Sequence, residues 1–269
     1  MTHTKAVILA RGLGSRMRKE TEGVELDADT AKVASTGVKA MISVGRPFLD
    51  YVLSGLADAG FTDVCLVIGP EHNVFKEYYD ELKPKRVRLH YAIQEEPLGT
   101  ANAVLAAEEF AAGDHVAVLN SDNYYPSSAL KALSELPGSG LAGFTKRAMV
   151  NESNIAEERI AAFALATVNA DGNMAELVEK PDAETVERLG DSALVSMNCW
   201  MCGPAIFDAA RSIPMSARGE YEITDAVRHA IEQGDAYRVV RVDEGVLDMS
   251  NRGDIASVKE ALSGFEVLL

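Results

Sequence analysis

Short apolar runs alternate with longer runs of helical period through the first half of the chain. Residues 6–9, 64–68, 87–93 and 115–119 have the length and density of buried strands. Between them, Phe48, Leu49, Val52, Leu53 and Leu56 recur at helical spacing, 72–82 fits a helix, and 100–110 is an Ala-rich helix. Gly69-Pro70 and Asn120-Ser121-Asp122-Asn123 punctuate the strand ends. Such alternation predicts a mostly parallel sheet with helices on both faces. The second half is less regular. Strands are expected at 141–146, 161–168, 174–178, 193–201 and 237–242, with Asn169 to Asn173 as a hairpin turn. Ile223, Ala226, Val227, Ala230 and Ile231 form one helical stripe ended by Gly234, and 255–265 reads as a closing helix. Repeats, low-complexity stretches and Pro/Ser-rich linkers are absent, so residues 1–269 are expected to form one unit. Its halves divide near residue 140.

Composition narrows the function classes. The 269 residues are 47% hydrophobic, enough for a sizeable core. Acidic residues outnumber basic ones 41 to 26, a formal charge of −15. That argues against a general nucleic-acid or anionic-membrane binder. A local phosphate pocket stays open, because a few cations and backbone N–H groups can outweigh the global field. No apolar run nears the roughly 20 residues that span a bilayer, and the start lacks signal-peptide features. Three cysteines make no disulfide framework. The expectation is a soluble, reduced, cytoplasmic protein.

The first chemical signal is Ala10-Arg11-Gly12-Leu13-Gly14-Ser15-Arg16, directly after the first strand. Two glycines allow close backbone approach to an anion, and Arg16 adds a planar charged fork. It is not a Walker loop, since no Gly-Lys-Ser/Thr follows. It is a poor dinucleotide fingerprint, since the third glycine would fall at Met17. A tight strand exit would explain the same glycines. Residues 20–35, rich in Glu and Asp, read either as a solvated insertion or as a flap beside that turn.

Later segments extend the signal in order. They are Gly37-Val38-Lys39, Gly45-Arg46-Pro47-Phe48-Leu49-Asp50, Gln94-Glu95-Glu96-Pro97-Leu98-Gly99-Thr100, Leu119-Asn120-Ser121-Asp122, Val178-Glu179-Lys180-Pro181, Gly219-Glu220-Tyr221-Glu222-Ile223-Thr224-Asp225 and Val246-Leu247-Asp248. Over residues 5–254 the set resembles the sugar-1-phosphate nucleotidyltransferases (sugar-nucleotide pyrophosphorylases). The likeness is nearest to the glucose-1-phosphate thymidylyl- and uridylyltransferases.

The resemblance implies a three-layer α/β/α, Rossmann-like fold with a mixed, mainly parallel sheet. Its activity would join a nucleoside triphosphate, UTP or dTTP, to a sugar 1-phosphate with release of pyrophosphate and with Mg²⁺ as cofactor. Ala10, Gly12, Gly14 and Arg16 then fall on the phosphate loop, and Lys39 on a phosphate-contacting lysine. Gln94 and Gly99 fall on the pair that reads a pyrimidine. Asp122 and Asp248 fall on the metal carboxylates, and Glu179, Lys180 and Asn198 on sugar or sugar-phosphate contacts. Arg16, Lys39 and Lys180 carry the catalytic charge. A phosphate nucleophile is already anionic at neutral pH, so the chemistry needs positioning and charge neutralisation rather than a nucleophile–base pair.

The chain also departs from the pattern. Arg11 replaces a small residue, and either adds a phosphate contact or crowds the loop. Val38 replaces proline, and Arg16 and Lys39 lie 23 positions apart, more than is usual. Asn198-Cys199-Trp200 and Asp248-Met249-Ser250 differ from the usual sugar and metal motifs. These changes motivate an alternative, a non-catalytic module that binds nucleotide or sugar phosphate on the same fold. A glycosyltransferase of related fold is a third reading, but it would want Asp-x-Asp where this chain has Ser121-Asp122-Asn123. Cys199-x-x-Cys202 reads as two small residues of a buried strand, and Trp200 as core or pocket wall. The five histidines form no metal-ligand spacing and read as surface or strand-end residues.

Overall fold

The first apolar run becomes a strand paired in parallel on both edges, in a computed structural model that describes residues 2–19, 23, 24 and 26–269. In chain order the strands are β1 (Lys5–Leu9), β2 (Asp63–Ile68), β3 (Arg88–Ile93), β4 (Val116–Asn120), β5 (Asn123–Tyr124) and β6 (Gly140–Phe144). Then come β7 (Ala164–Val168), β8 (Met174–Val178), β9 (Leu194–Cys202), β10 (Arg238–Val242) and β11 (Leu247–Asp248). Nine of them form one sheet whose main path runs β10-β6-β9-β4-β1-β2-β3. The strands β8 and β9 run against the others, so the sheet is mixed and mainly parallel. β5 and β11 form a separate two-stranded ladder.

Strands buried on both faces read as unbroken apolar runs, and Ala6, Val7 and Ile8 are wholly buried. Their side chains alternate between two cores. Ala6 and Ile8 join the core under the helices Phe48–Asp58, Ser127–Ser134 and Asp254–Leu262. Val7 joins the opposite core, under Thr100–Ala106, Ala205–Ser212 and Ile223–Glu232. This is the expected three-layer α/β/α arrangement. Cys199 and Cys202 fall in different cores, on opposite faces of the sheet, and all three cysteines are buried and free.

β9 shapes the site. Its second half pairs with β4, through Trp200 opposite Val118. Its first half pairs on the same edge with β7, through Ser196 opposite Ala164. Asn198 lies between these two partners, where the ladder with β6 also shifts register. It takes a left-handed φ of 54°. An extra residue in one strand bends it and re-aims a side chain.

Several local expectations change in detail. The run at 100–110 is two helices, Thr100–Ala106 and Glu108–Ala111, because Ala107 leaves helical geometry (φ −94°, ψ 6°). The strand expected over 141–146 stops at Phe144, since Thr145 caps the helix Lys146–Glu152 by accepting from the Ala148 N–H at 3.3 Å. The strand expected from 161 begins at Ala164, because the short helix Glu157–Ile160 and the turns after it take up the preceding residues. Within 20–35, residues 20–22 and 25 lie outside the described residues, and 28–36 is a helix. Asp27 caps it by accepting from the Thr30 N–H at 2.9 Å, and only Thr30 and Ala34 are buried. Among the described residues, no helix is long and apolar enough to cross a membrane.

Trp200 is the chain's single tryptophan and is fully buried on β9, edge-on to Tyr237. Native emission is therefore expected to be blue-shifted and to move red on unfolding. Trp200→Ala should lower stability by about 3–5 kcal/mol, measured by urea denaturation followed by circular dichroism.

Candidate functional site

At β1 the strand order reverses, since β2 follows on one side and β4 lies on the other. Open α/β sheets bind ligands at such a switch point, beyond the carboxyl ends of the strands. A cleft of about 510 Å³ opens there. Ten of the sequence candidates line it: Ala10, Gly12, Gly14, Arg16, Lys39, Gln94, Gly99, Asp122, Glu179 and Asn198. Lys180 and Asp248 are not on its wall, although Lys180 follows Glu179 in the chain and Asp248 faces Asp122.

Glycines set one side of the cleft. Gly14 is left-handed (φ 58°), and a Cβ there would come within 2.2 Å of the Gly37 carbonyl oxygen. A Cβ on Gly37 would in turn meet the Leu13 oxygen at 2.6 Å. The Gly-rich turn and the end of the helix Ala28–Thr36 therefore touch backbone to backbone. The Arg18 guanidinium clamps them by donating to the Thr36 oxygen at 2.8 and 3.1 Å. Lys39 follows two residues later, and its ammonium donates to Asp122 at 2.7 Å. Gly12 differs, because a Cβ there would meet nothing within 4 Å. Its backbone faces open space that an anion can approach.

On the β2–β3 side, Gln94 is buried, and its amide donates to the Gly99 oxygen at 3.1 Å and to Asn102 at 2.8 Å. Its carbonyl oxygen accepts no hydrogen bond among the described residues and so is left as an acceptor, the partner an imide N–H requires. Gly99 (φ 110°) must lack a side chain, since a Cβ would lie 2.5 Å from the Tyr221 oxygen. Tyr221 N–H donates to Leu98, and Ala101 N–H donates to Tyr221, both at 2.8 Å. This clasp ties segment 97–101 to segment 219–223 across the sequence.

Asp122 and Asp248 meet through the β5–β11 ladder, where Asn123 opposes Asp248 and Met249 N–H donates to the Asp122 oxygen at 2.8 Å. Asp248 is 4% exposed. Burial, and then the facing Asp122, raise its carboxyl above the usual range, against the pull of Ser250 and Arg159. Asn123 donates to one of its oxygens at 3.0 Å and Arg159 holds the other. Asn154 brackets its backbone with two 2.8 Å bonds. Two carboxylates without histidine or thiolate suit a hard divalent cation that completes its shell with phosphate and water. Among the described residues, no cluster of three or more acidic, His or Cys groups could hold a metal alone. Any such ion would lean on substrate oxygens.

Glu179 closes the far end, and desolvation raises its carboxyl, with Arg218 and Lys180 opposing and Glu222 adding to the rise. Of the four non-glycine residues at positive φ among the described residues, Lys83 and Ala112 are helix C-caps. The other two are Lys180 and Asn198, both candidates from the sequence. Strain kept outside a cap concentrates at functional sites. Sequence reading missed Arg218, Glu220 and Glu222 as cleft residues. Arg218 donates to Glu222 at 3.0 Å, and its place just ahead of the quoted Gly219-Glu220 run was the available signal. His72, read as a surface or strand-end residue, is buried just beyond the end of β2, and its Nδ1 accepts from the Gly69 N–H at 3.3 Å.

The chain matches the family model described as Nucleotidyl transferase over residues 5–262. It is 30% identical over 235 residues to the low-salt glycan biosynthesis nucleotidyltransferase Agl11 of Haloferax volcanii, covering 86% of this chain and 58% of that protein. It is 28% identical over 259 residues to a glucose-1-phosphate thymidylyltransferase of Streptomyces antibioticus, covering 96% of this chain and 66% of that protein. It is 27% identical over 266 residues to the UTP–glucose-1-phosphate uridylyltransferase AglF of Haloferax volcanii, covering 96% of each. The chain thus spans about three fifths to two thirds of the first two relatives. Among solved structures, a UDP-glucose pyrophosphorylase complexed with UDP-glucose shares the fold, with a TM-score of 0.74 at 19% identity over 97% of this chain and 98% of that one.

The two glycines of the turn should respond differently to alanine. Gly14→Ala meets backbone at a left-handed position and should cost about 1–3 kcal/mol. Gly12→Ala should stay within about 0.5 kcal/mol of wild type, yet weaken inorganic tripolyphosphate binding. Urea melts and calorimetric titration read the two effects.

Proposed function

We propose that this chain, which belongs to the nucleotidyl transferase family, joins UTP or dTTP to a sugar 1-phosphate and releases pyrophosphate. The observation that carries the reading is that one cleft gathers the Gly-rich turn, Lys39 and Asp122, the Gln94 acceptor and the Glu179–Asn198 end. Those groups come from stretches as far apart in the chain as residues 10 and 198.

In this reading the halves divide the work, residues up to about 140 holding the nucleotide and the rest the acceptor. Gly12 and Gly14 present backbone N–H groups to the triphosphate, and Arg16 grips the departing phosphates. The Gln94 carbonyl accepts the base imide N–H while Gly99 lets the base lie close. Asn198 and Glu179 orient the acceptor, and Arg218 and Lys180 hold its phosphate in line with the α-phosphorus. Lys39 and Lys180 offset the charge that builds on the transferred phosphoryl group. Asp122 and Asp248 would hold Mg²⁺, which when bound supplies further neutralisation of that charge. The acceptor's anionic oxygen attacks the α-phosphorus and the bond to the bridging oxygen of pyrophosphate breaks, so no proton need be moved. The three buried free cysteines support a reducing compartment, the cytoplasm.

A matrix of triphosphates against sugar 1-phosphates, read by pyrophosphate release, tests the reading. UTP or dTTP should lead, with turnover lost without Mg²⁺ or in a folded Asp122→Asn variant. A purine preference would overturn the base assignment. Nucleotide binding without release against any acceptor would mark a sensor instead.

The charges should also separate by substrate. Arg16→Ala is expected to raise the triphosphate KM and slow pyrophosphate departure. Lys180→Ala is expected to act on the acceptor and on kcat, with about 10²–10³ lost in rate. Initial-rate kinetics in both substrates, with circular dichroism for folding, read the division. A Lys180→Ala effect confined to triphosphate KM would refute it.

A further inference from the structure

Arg11 is the least satisfied buried charge among the described residues. It is 9% exposed, yet its Nε and Nη1 find no hydrogen-bond partner among the described residues. Its Nη2 reaches Glu71 only at 3.5 Å, and the Glu71 side chain is itself half exposed. Buried N–H donors on a charged group are costly when left unpaired. A side chain in that condition, on the wall of a cleft, is set for an acceptor that arrives with a ligand.

Its surroundings say which part of a ligand. Two flanks meet at β1. On the β4 flank Ser121 N–H donates to the Leu9 oxygen at 3.3 Å, and Asp122 and Lys39 pair just beyond. On the β2 flank Ala10 N–H donates to the Val67 oxygen at 2.8 Å, which carries Arg11 past the end of β2. There the guanidinium lies on Gly69. A Cβ at Gly69 would come 2.6 Å from Arg11 Nε and 2.5 Å from a Glu71 oxygen, so this glycine leaves the room the guanidinium occupies. The next strand edge holds Gln94, whose N–H donates to the Ile68 oxygen at 2.9 Å, one residue before Gly69. Arg11 thus shares its corner with the Gln94 acceptor and stands across β1 from Lys39 and Asp122. An arginine in the Gly-rich turn would ordinarily be assigned to phosphate, but this one is turned to the other flank.

We propose that Arg11 is a nucleoside-reading residue, its unpaired N–H groups donating to a carbonyl oxygen of the pyrimidine base while Gln94 accepts the adjacent ring N–H. The assignment rests on the nucleotidyl-transfer reading of the same cleft and adds a second base contact to it. Together the donor and the acceptor match neighbouring C=O and N–H groups of an imide. Without nucleotide, the guanidinium is desolvated and underpaired, so its removal relieves the empty protein while it weakens the complex.

The experiment is calorimetric titration of wild type, Arg11→Met and Arg11→Lys with UTP, dTTP and inorganic tripolyphosphate, with thermal melts of each protein alone. UTP and dTTP are expected to bind Arg11→Met about 10–100-fold more weakly, and tripolyphosphate equally well. Arg11→Lys, which keeps charge but loses the fork, should fold and still lose at least several-fold on both nucleotides. The Arg11→Met protein alone should melt no lower than wild type. Equal loss of tripolyphosphate binding would make Arg11 a phosphate ligand and overturn the proposal. Loss confined to UTP would point to the ribose 2′-hydroxyl and overturn it too. Unchanged nucleotide binding with a lowered melting temperature would leave only a structural role beside Glu71. If wild type binds tripolyphosphate but no better with a pyrimidine attached, it is the base reading of the cleft that fails, independently of Arg11.

Discussion

Everything at the site depends on β1 being paired in parallel on both edges. Parallel neighbours align all three strands so that β1, β2 and β4 end together, and the chain must leave the sheet at one level. Since β2 follows β1 on one side and β4 comes in on the other, the exits diverge and leave a crevice. Backbone groups beyond the last ladder bonds would be unsatisfied in a closed core. Here they open onto a cleft that polar ligand groups can enter. The burial that stabilises β1 and the opening that gives it a function are consequences of one topology.

Backbone contacts then close that crevice to a working size. Gly14 against Gly37 and Gly99 against Tyr221 are approaches that any Cβ would block. The first brings Lys39 over Asp122. The second brings the 218–223 segment, with Arg218 and Glu222, against the Gln94–Ala101 stretch. Each is a contact between stretches remote in sequence, so neither could be read from local pattern. The glycines themselves were visible, but their partners were not.

That difference marks what was legible in the chain. Strand–helix alternation and the order of motifs predicted the layers, the sheet type and most of the cleft wall, because apolar period and Gly-rich turns are local signals. Asp27 capping a helix that buries only Thr30 and Ala34 was hidden, since two buried positions make no periodic stripe. The pairing of Asp248 with Arg159 was hidden for another reason: they lie 89 residues apart and meet only after β11 has paired with β5. Arg218 stood beside a quoted motif, but nothing local marked its side chain as turned into the cleft rather than to solvent.

The electrostatics follow from the protein's acidity. In the proposed transfer a chain with a net charge of −15 assembles two anionic reactants. The cleft does not oppose this field with a block of free cations, which would repel one another in the absence of substrate. It holds cations against carboxylates instead: Lys39 on Asp122, Arg218 on Glu222, and Arg159 on Asp248 behind the wall. Each pair is locally neutral and keeps its cation oriented. An arriving phosphate can exchange for the carboxylate partner, so binding trades one ion pair for another instead of stripping water from a bare charge. The carboxylates released on the Asp122 side are then the groups that would accept a divalent ion. Arg11 stands outside this scheme, on the other flank and held only loosely, by the half-exposed Glu71 at 3.5 Å. Its place beside Gln94 on the β2 flank, away from Lys39 and Asp122, rather than its charge, is what assigns it to the base instead of the phosphates.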